Sequence, residues 1–389
     1  MRMTEMDLSR VPDELGAVAP RPNDVPGIRY DAFGTPIPPP PRWQHTPVAT
    51  SSVPAPTPGI PTASISSFPP APRVQWKPLT LPVEPKQYHE FYRTPAYQAW
   101  KPWVLLITVA LGFIVANVVF AFIMVLMSMD DLGGLMTSLT GGYMSWDLLL
   151  LVDLSIAAAI PICIGLHRAW MGQKPGWLAS IQGRFRWKVC LKALLVVLPL
   201  FIVMAVADYW VTGMPELQFS EQTIPMLLVV IFATPFQCAG EEYLCRGIAF
   251  RSIGSAFPNR TAGLIVGGLA SALIFTALHG SLDPWLILVY FTVGVGACVL
   301  VWRTGGLEAA IALHAANNWV SEALMPFTPD VDMFDREVGV GSPWVLIQVA
   351  AIVLAVLGIL WQARKLPTAA ALASNVTAAG ALGQFSEAK

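Results

Sequence analysis

The sequence predicts an all-α polytopic membrane protein: eight transmembrane helices behind a disordered proline-rich N-terminal tail. Three observations carry this. The 389 residues are 54% hydrophobic and only 13% charged, whereas about a quarter of a soluble protein's residues are charged. The apolar residues gather into runs of about 20, the length that crosses a bilayer. Lysine and arginine alternate with acidic residues from one inter-run loop to the next, as expected when basic loops stay in the cytoplasm.

Residues 1–95 hold 21 of the 34 prolines, including Pro38 to Pro41. Proline lacks an N–H donor and clashes with the preceding turn, so helix and sheet are both disfavoured, and no periodic apolar face compensates. The segment reads as a disordered or polyproline-type cytoplasmic tail. Pro36-Ile37-Pro38-Pro39 fits a loose PxxP pattern. Met1 to Arg10 is polar, without the apolar core of a secretory signal, so insertion is expected to be driven by the first membrane run.

A transmembrane domain is expected over 96–365, with its motif-bearing core at 190–325, and a flexible cytoplasmic tail over 366–389. The eight apolar spans fall at 102–128, 146–166, 190–212, 224–250, 262–282, 284–302, 305–325 and 343–363. Basic residues mark one set of loops: Arg93 and Lys101, Arg168 to Lys188, Arg251 and Arg260, Arg303, and Arg364 with Lys365. Acidic residues mark the others: Asp130, Asp131, Glu216, Glu221, Asp283, Asp330, Asp332 and Asp335, with Arg336 their lone basic residue. Eight spans with both termini cytoplasmic satisfy every loop, and the cell (plasma) membrane is the expected location.

Ionisable groups inside the spans cost roughly 2.5–3.5 kcal/mol each on insertion scales, so each asks for a reason. Glu241 and Glu242 are adjacent in Ala239-Gly240-Glu241-Glu242-Tyr243-Leu244-Cys245-Arg246. Glu242 and Arg246, four apart, share a helix face in the favoured carboxylate-first order. Glu241 points about 100° away and is free for other work. Phe275 and His279 are four apart on the fifth span; His314 and Asn318 are four apart on the seventh. Each group alone reads as ordinary interhelical hydrogen bonding.

Jointly they suit chemistry. Glu241 and His279 stand at similar distances from the Pro258-Asn259 turn, within about 5 Å in height. His314 lies about 12 Å above the Gly305-Gly306 turn. Convergence in the cytoplasmic half of the membrane is therefore expected. A carboxylate and a neutral histidine can activate water, and a second histidine with an amide can stabilise an oxyanion. Glu241, His279 and His314 are also the candidate ligands of a divalent metal such as zinc. No HExxH occurs, because His89-Glu90 continues to Arg93. Of the intramembrane charges, Asp147 and Asp208 are expected to reach water at outer helix ends. Glu308 sits beside the Arg303 turn, Lys192 can snorkel, and Asp153 finds no account.

The five cysteines, Cys163, Cys190, Cys238, Cys245 and Cys298, form no CxxC pair or zinc spacing and read as buried small hydrophobes. Only Cys245, inside the polar motif, is placed to be a nucleophile.

EEYLCR fits EExxxR, Phe275 to His279 fits FxxxH, and His314 to Asn318 fits HxxxN. The ordered trio resembles the CPBP family of intramembrane proteases (CAAX proteases and bacteriocin-processing enzymes, also called Abi). The resemblance covers about residues 190–325. It implies an eight-helix membrane protease with its site open to the cytoplasm. Glu241 would be the water-activating base assisted by His279, His314 and Asn318 the oxyanion site, and Glu242 and Arg246 supporting residues. The family is described both as metalloprotease and as metal-free glutamate protease; Asn318 favours the latter, a neutral amide being a weak metal ligand. The expected substrate is a peptide or a membrane-anchored protein, with the lipid bilayer as the other partner and no nucleic acid. A proton-coupled transporter would use Asp153, the glutamates and the histidines as a relay, but no inverted repeat is visible. A catalytically silent immunity or binding protein on the same scaffold is the third reading.

Overall fold

The computed structural model describes residues 29–30, 36–37, 80–141, 144–328 and 335–370. The chain divides into two units, Met1–Val74 and Gln75–Lys389. In the first, β1 (Arg29–Tyr30) and β2 (Pro36–Ile37) pair antiparallel. The rest of the expected tail up to residue 79, and the tail beyond 370, lie outside the described residues.

The second unit is helical. Its elements begin with the short strand β3 (Lys86–Gln87), then α1 (Lys101–Met127), α2 (Leu132–Gly141), α3 (Trp146–Ala157), α4 (Ala159–Met171) and α5 (Gly176–Ala179). They continue with α6 (Trp187–Thr212), α7 (Thr223–Phe232), α8 (Thr234–Glu242), a π-helical turn pair Tyr243–Phe250, and α9 (Arg251–Ala256). The last are α10 (Arg260–Leu278), α11 (Pro284–Thr304), α12 (Glu308–Ser321), α13 (Val345–Gln362) and the strand β4 (Ala369–Ala370).

Seven helices among the described residues are long and apolar enough to cross a membrane: α1, α3 with α4, α6, the continuous run Thr223–Ala256, α10, α11, and α13 extended to Lys365. The expected span at 305–325 is different. It contains only the 14-residue α12, about 21 Å long, short of the roughly 30 Å hydrocarbon thickness. Residues 308–316 are buried throughout, and α12 packs against α6, α8 and α11. A helix enclosed by protein need not match the bilayer, because its end groups find protein partners. By contrast α1 leaves Ile114, Val115, Val118 and Phe122 about 60% exposed, the all-round apolar surface of a lipid-facing helix.

The ends of the elements follow local chemistry. Asn259 caps α10, its side chain accepting the Ala262 N–H at 2.9 Å. Asp283 caps α11, accepting from Trp285 N–H (2.8 Å) and Leu286 N–H (3.1 Å), with Pro284 at the first helical position. Gly305, at φ 70°, ends α11 in the left-handed conformation.

Residues 80–95, assigned to the tail on proline content, instead pack on the helices. Tyr88, Phe91 and Tyr92 are at most 2% exposed. The Arg251 guanidinium lies 3.8 Å from the centre of the Tyr88 ring, and the Tyr88 hydroxyl donates to the Leu178 carbonyl. β3 pairs antiparallel with β4. The aromatic run after Pro85 supplies the apolar area that the prolines before it lack.

Candidate active site

α8 is positioned by a glycine. A Cβ on Gly240 would overlap the Ile156 carbonyl oxygen and press on Ala157, so only glycine lets α8 lie this close to the α3–α4 junction. That contact sets the height of the next two residues, Glu241 and Glu242. The helix then widens into the π-helical Tyr243–Phe250; such stretches recur at functional sites.

Glu242 and Arg246 are wholly buried and paired at 2.9 Å. Arg246 also donates to the Gly294 carbonyl at 2.9 Å and lies 4.4 Å from the Phe275 ring centre. Glu242 Oε1 takes a second partner, His314 Nδ1, at 3.0 Å. A carboxylate held by arginine accepts, so Nδ1 carries the proton and donates. His314 Nε2 then faces Glu241 Oε2 at 3.5 Å. The imidazole thus stands between the two glutamates, oriented by one and turned toward the other. This is the logic of a buried carboxylate fixing a catalytic histidine's tautomer.

Glu241 Oε1 accepts from Gln237 Nε2 at 2.8 Å. Its Oε2 is buried and without a hydrogen-bond partner among the described residues. His279 closes α10, and its Nδ1 donates to the Phe275 carbonyl at 2.8 Å, which leaves the lone pair of the neutral ring on Nε2. The ring stacks on Tyr290 at 4.0 Å. No hydrogen bond joins it to Glu241 among those described; the histidine touching Glu241 is His314. Phe275, 1% exposed, is the common wall: its ring is 4.6 Å from His279 and 5.3 Å from His314. Asn318 reaches the group through Gln237 Oε1, to which its Nδ2 donates at 3.4 Å. Cys245 is fully buried in the apolar core.

Two contacts on α11 give the position of the group along the helices. Arg246 binds Gly294, the middle residue of α11, and His279 stacks on Tyr290, about 9 Å from the Pro284 end. His279 itself ends α10 at the pole opposite the basic Arg260. The site therefore lies around the middle of α11, displaced toward Asp283.

Glu241, His279 and His314 do not assemble a metal site in this geometry. Among the described residues, no group of three or more His, Cys, Asp or Glu side chains is placed to hold one ion.

Sequence reasoning passed over several participants. Gln237 stands one turn before Glu241, and its spacing was the available signal. Glu322 stands four residues beyond Asn318. Its carboxyl group and that of Asp153 both stand within hydrogen-bond reach of the Thr234 hydroxyl, at 3.2 and 3.0 Å, whose single proton serves one of them at a time; this gives Asp153 its account, a buried carboxyl group sharing one hydroxyl with the half-buried Glu322. Glu308 is paired with Arg186, not Arg303. Arg186 donates from Nη2 at 2.6 Å, from Nε at 2.9 Å and from its backbone N–H at 2.8 Å. Tyr290 carried no motif that would have marked it.

Residues 221–320 match the family model described as type II CAAX prenyl endopeptidase Rce1-like. The matched stretch runs from the end of the α6–α7 loop through Asn318 and so contains Glu241, Glu242, Arg246, Phe275, His279 and His314 as well. It is consistent with a CPBP-family intramembrane protease. No curated protein and no solved structure matches the chain.

Proposed function

We propose that this chain, whose residues 221–320 fit the Rce1-like family, is an intramembrane endopeptidase of the CAAX-protease type acting on a membrane-associated peptide or protein. The observation that carries the reading is His314 held between Glu242 and Glu241, at 3.0 and 3.5 Å. Water beside Glu241 Oε2 gives its proton to that carboxylate while its oxygen attacks the scissile carbonyl carbon. The resulting oxyanion is met by the Asn318 amide N–H, while His314, its proton on Nδ1 toward Glu242, presents Nε2 as an acceptor that helps hold the water. Collapse breaks the C–N bond, and the leaving amine takes the proton back from Glu241. His279, with its Nε2 lone pair set by the Phe275 carbonyl, assists in holding the water. Glu242 and Arg246 keep His314 in place. All steps run through the chain's own groups, a glutamate rather than a metallo mechanism.

Cleavage of a peptide library by the purified protein in detergent tests this. Glu241→Gln should lower kcat by about 10²- to 10⁴-fold, the usual worth of a general base, with unchanged thermal stability. Full activity in Glu241→Ala would end the assignment. Activity that survives chelators, with no metal bound to the active protein, separates the glutamate mechanism from a metallo one.

The Asp153–Thr234–Glu322 group supports a second reading, a proton-coupled transporter. Proton-driven uptake into liposomes would favour it, and its loss in Asp153→Asn together with intact peptide cleavage would separate the two activities.

A further inference from the structure

Two antiparallel helix faces meet along the site. On α8, Thr234, Gln237 and Glu241 fall at i, i+3 and i+7, one stripe of a helix. On α12 and its cap, His314, Asn318 and Glu322 fall at i, i+4 and i+8. They join rung by rung: Glu241 to His314 at 3.5 Å, Gln237 to Asn318 at 3.4 Å, and Thr234 to Glu322 at 3.2 Å. The middle rung is the informative one. Gln237 is 8% exposed and belongs to none of EExxxR, FxxxH and HxxxN.

We propose that Gln237 is a positioning residue of this site, its amide fixing which oxygen of Glu241 is engaged and where the Asn318 amide stands. The proposal rests on the endopeptidase reading. A carboxylate can only accept, so the Gln237 nitrogen must face Glu241 and its oxygen must face away. That oxygen takes Asn318 Nδ2 at 3.4 Å and the Cys238 thiol at 3.2 Å. With Oε1 of Glu241 occupied at 2.8 Å, rotation of the carboxylate is restrained and Oε2 is the oxygen turned toward His314. One side chain therefore sets both the base and the amide assigned to the oxyanion. Asn318 is braced from behind as well: Asn317 Nδ2 donates to its Oδ1 at 3.2 Å, and Gln348 Nε2 donates to Asn317 Oδ1 at 3.0 Å. The long 3.4 Å contact leaves the Asn318 amide free to exchange Gln237 for a developing oxyanion.

Gln237→Met keeps length and volume and removes both polar contacts. Expected are a fall in kcat of about 10- to 100-fold, the worth of one hydrogen bond to a charged group, a KM within about twofold, and an unchanged unfolding temperature. Gln237→His, which retains an N–H at similar reach, should recover part of kcat. Independently of turnover, the infrared difference between wild type and Glu241→Gln isolates the Glu241 carboxyl band, and Gln237→Met should shift it. Wild-type kcat in Gln237→Met beside an inactive Glu241→Gln overturns the positioning role and spares the endopeptidase reading. An unshifted carboxyl band overturns the positioning role whether or not any peptide is cleaved. A shifted band in a protein that cleaves nothing upholds the contact and ends the endopeptidase reading alone.

Discussion

Glu242 and Arg246 are both fully buried, so neither charge can be lost without stranding the other. Removing one member of a buried pair costs about 3–5 kcal/mol, because the survivor stays desolvated and uncompensated, whereas replacing both by apolar residues costs far less. Glu242→Leu and Arg246→Met should each lower the unfolding temperature in detergent steeply. The double variant should be more stable than either single one. Equal losses in all three would mean that the pair is not the source of the penalty. Glu241 should behave differently. It is partly accessible, and its Oε2 has no hydrogen-bond partner among the described residues, so Glu241→Gln should leave stability within about 1 kcal/mol. The adjacent carboxylates thus differ in their surroundings, Glu242 being held by Arg246 and Glu241 keeping one oxygen without a hydrogen-bond partner among the described residues. Spacing alone distinguished them, since only Glu242 has an arginine four residues on.

At the scale of elements, the approach of α8 to the α3–α4 junction depends on Gly240. Gly240→Ala forces a methyl into the Ile156 carbonyl, an overpacking that costs typically 1–3 kcal/mol. It should also reduce cleavage more than its stability loss explains, because Glu241 and Glu242 move with the helix. A Gly240→Ala protein with wild-type kcat would show that this height is not critical. The segment Tyr88–Tyr92 makes a second element-scale claim. His89 is buried, donates from Nε2 to the Arg260 carbonyl at 3.1 Å, and has no partner for Nδ1 among the described residues. Burial holds its pKa below the ordinary 6.5. The unfolded chain then binds a proton below pH 6.5 that the folded chain refuses, so stability is lost as pH falls from that value toward the folded pKa. Unfolding temperatures measured from pH 8 to pH 5 should decline in the wild type and decline less in His89→Gln. Parallel curves would remove His89 as the cause.

At the scale of the whole molecule, what the sequence disclosed depended on whether a feature was local. The helices α1, α6, α10, α11 and α13 were readable because each is one apolar run. The Glu242–Arg246 and Phe275–His279 contacts were readable because four residues make about one helical turn, whereas Asn318, four residues after His314, joins the group through Gln237. Contacts between runs were not: Arg186 with Glu308, Asp153 with Thr234 and Glu322, and Tyr290 under His279 depend on packing that no spacing encodes. α12 was read as a span because its composition is apolar, and only its enclosure by α6, α8 and α11 explains why 14 residues suffice. The membrane orientation is the remaining global property, and the loop charges make it testable. α6 separates the basic stretch Arg184 to Lys188 from the acidic Glu216 and Glu221. Lysine and arginine resist translocation, so the first stretch should face the cytoplasm and the second the opposite side. Gln182 and Glu221 are both exposed at these two ends. Four of the five native cysteines are buried, and only Cys190 is half-buried, so a Cys190→Ser background is nearly silent to thiol reagents. In intact cells, a membrane-impermeant maleimide should label Glu221→Cys and should reach Gln182→Cys only after permeabilisation. The reverse pattern would invert the molecule in the membrane. It would also move the Asp283-side displacement of Glu241, His279 and His314 to the cytoplasmic half, making a cytoplasmic route to the site the shorter one.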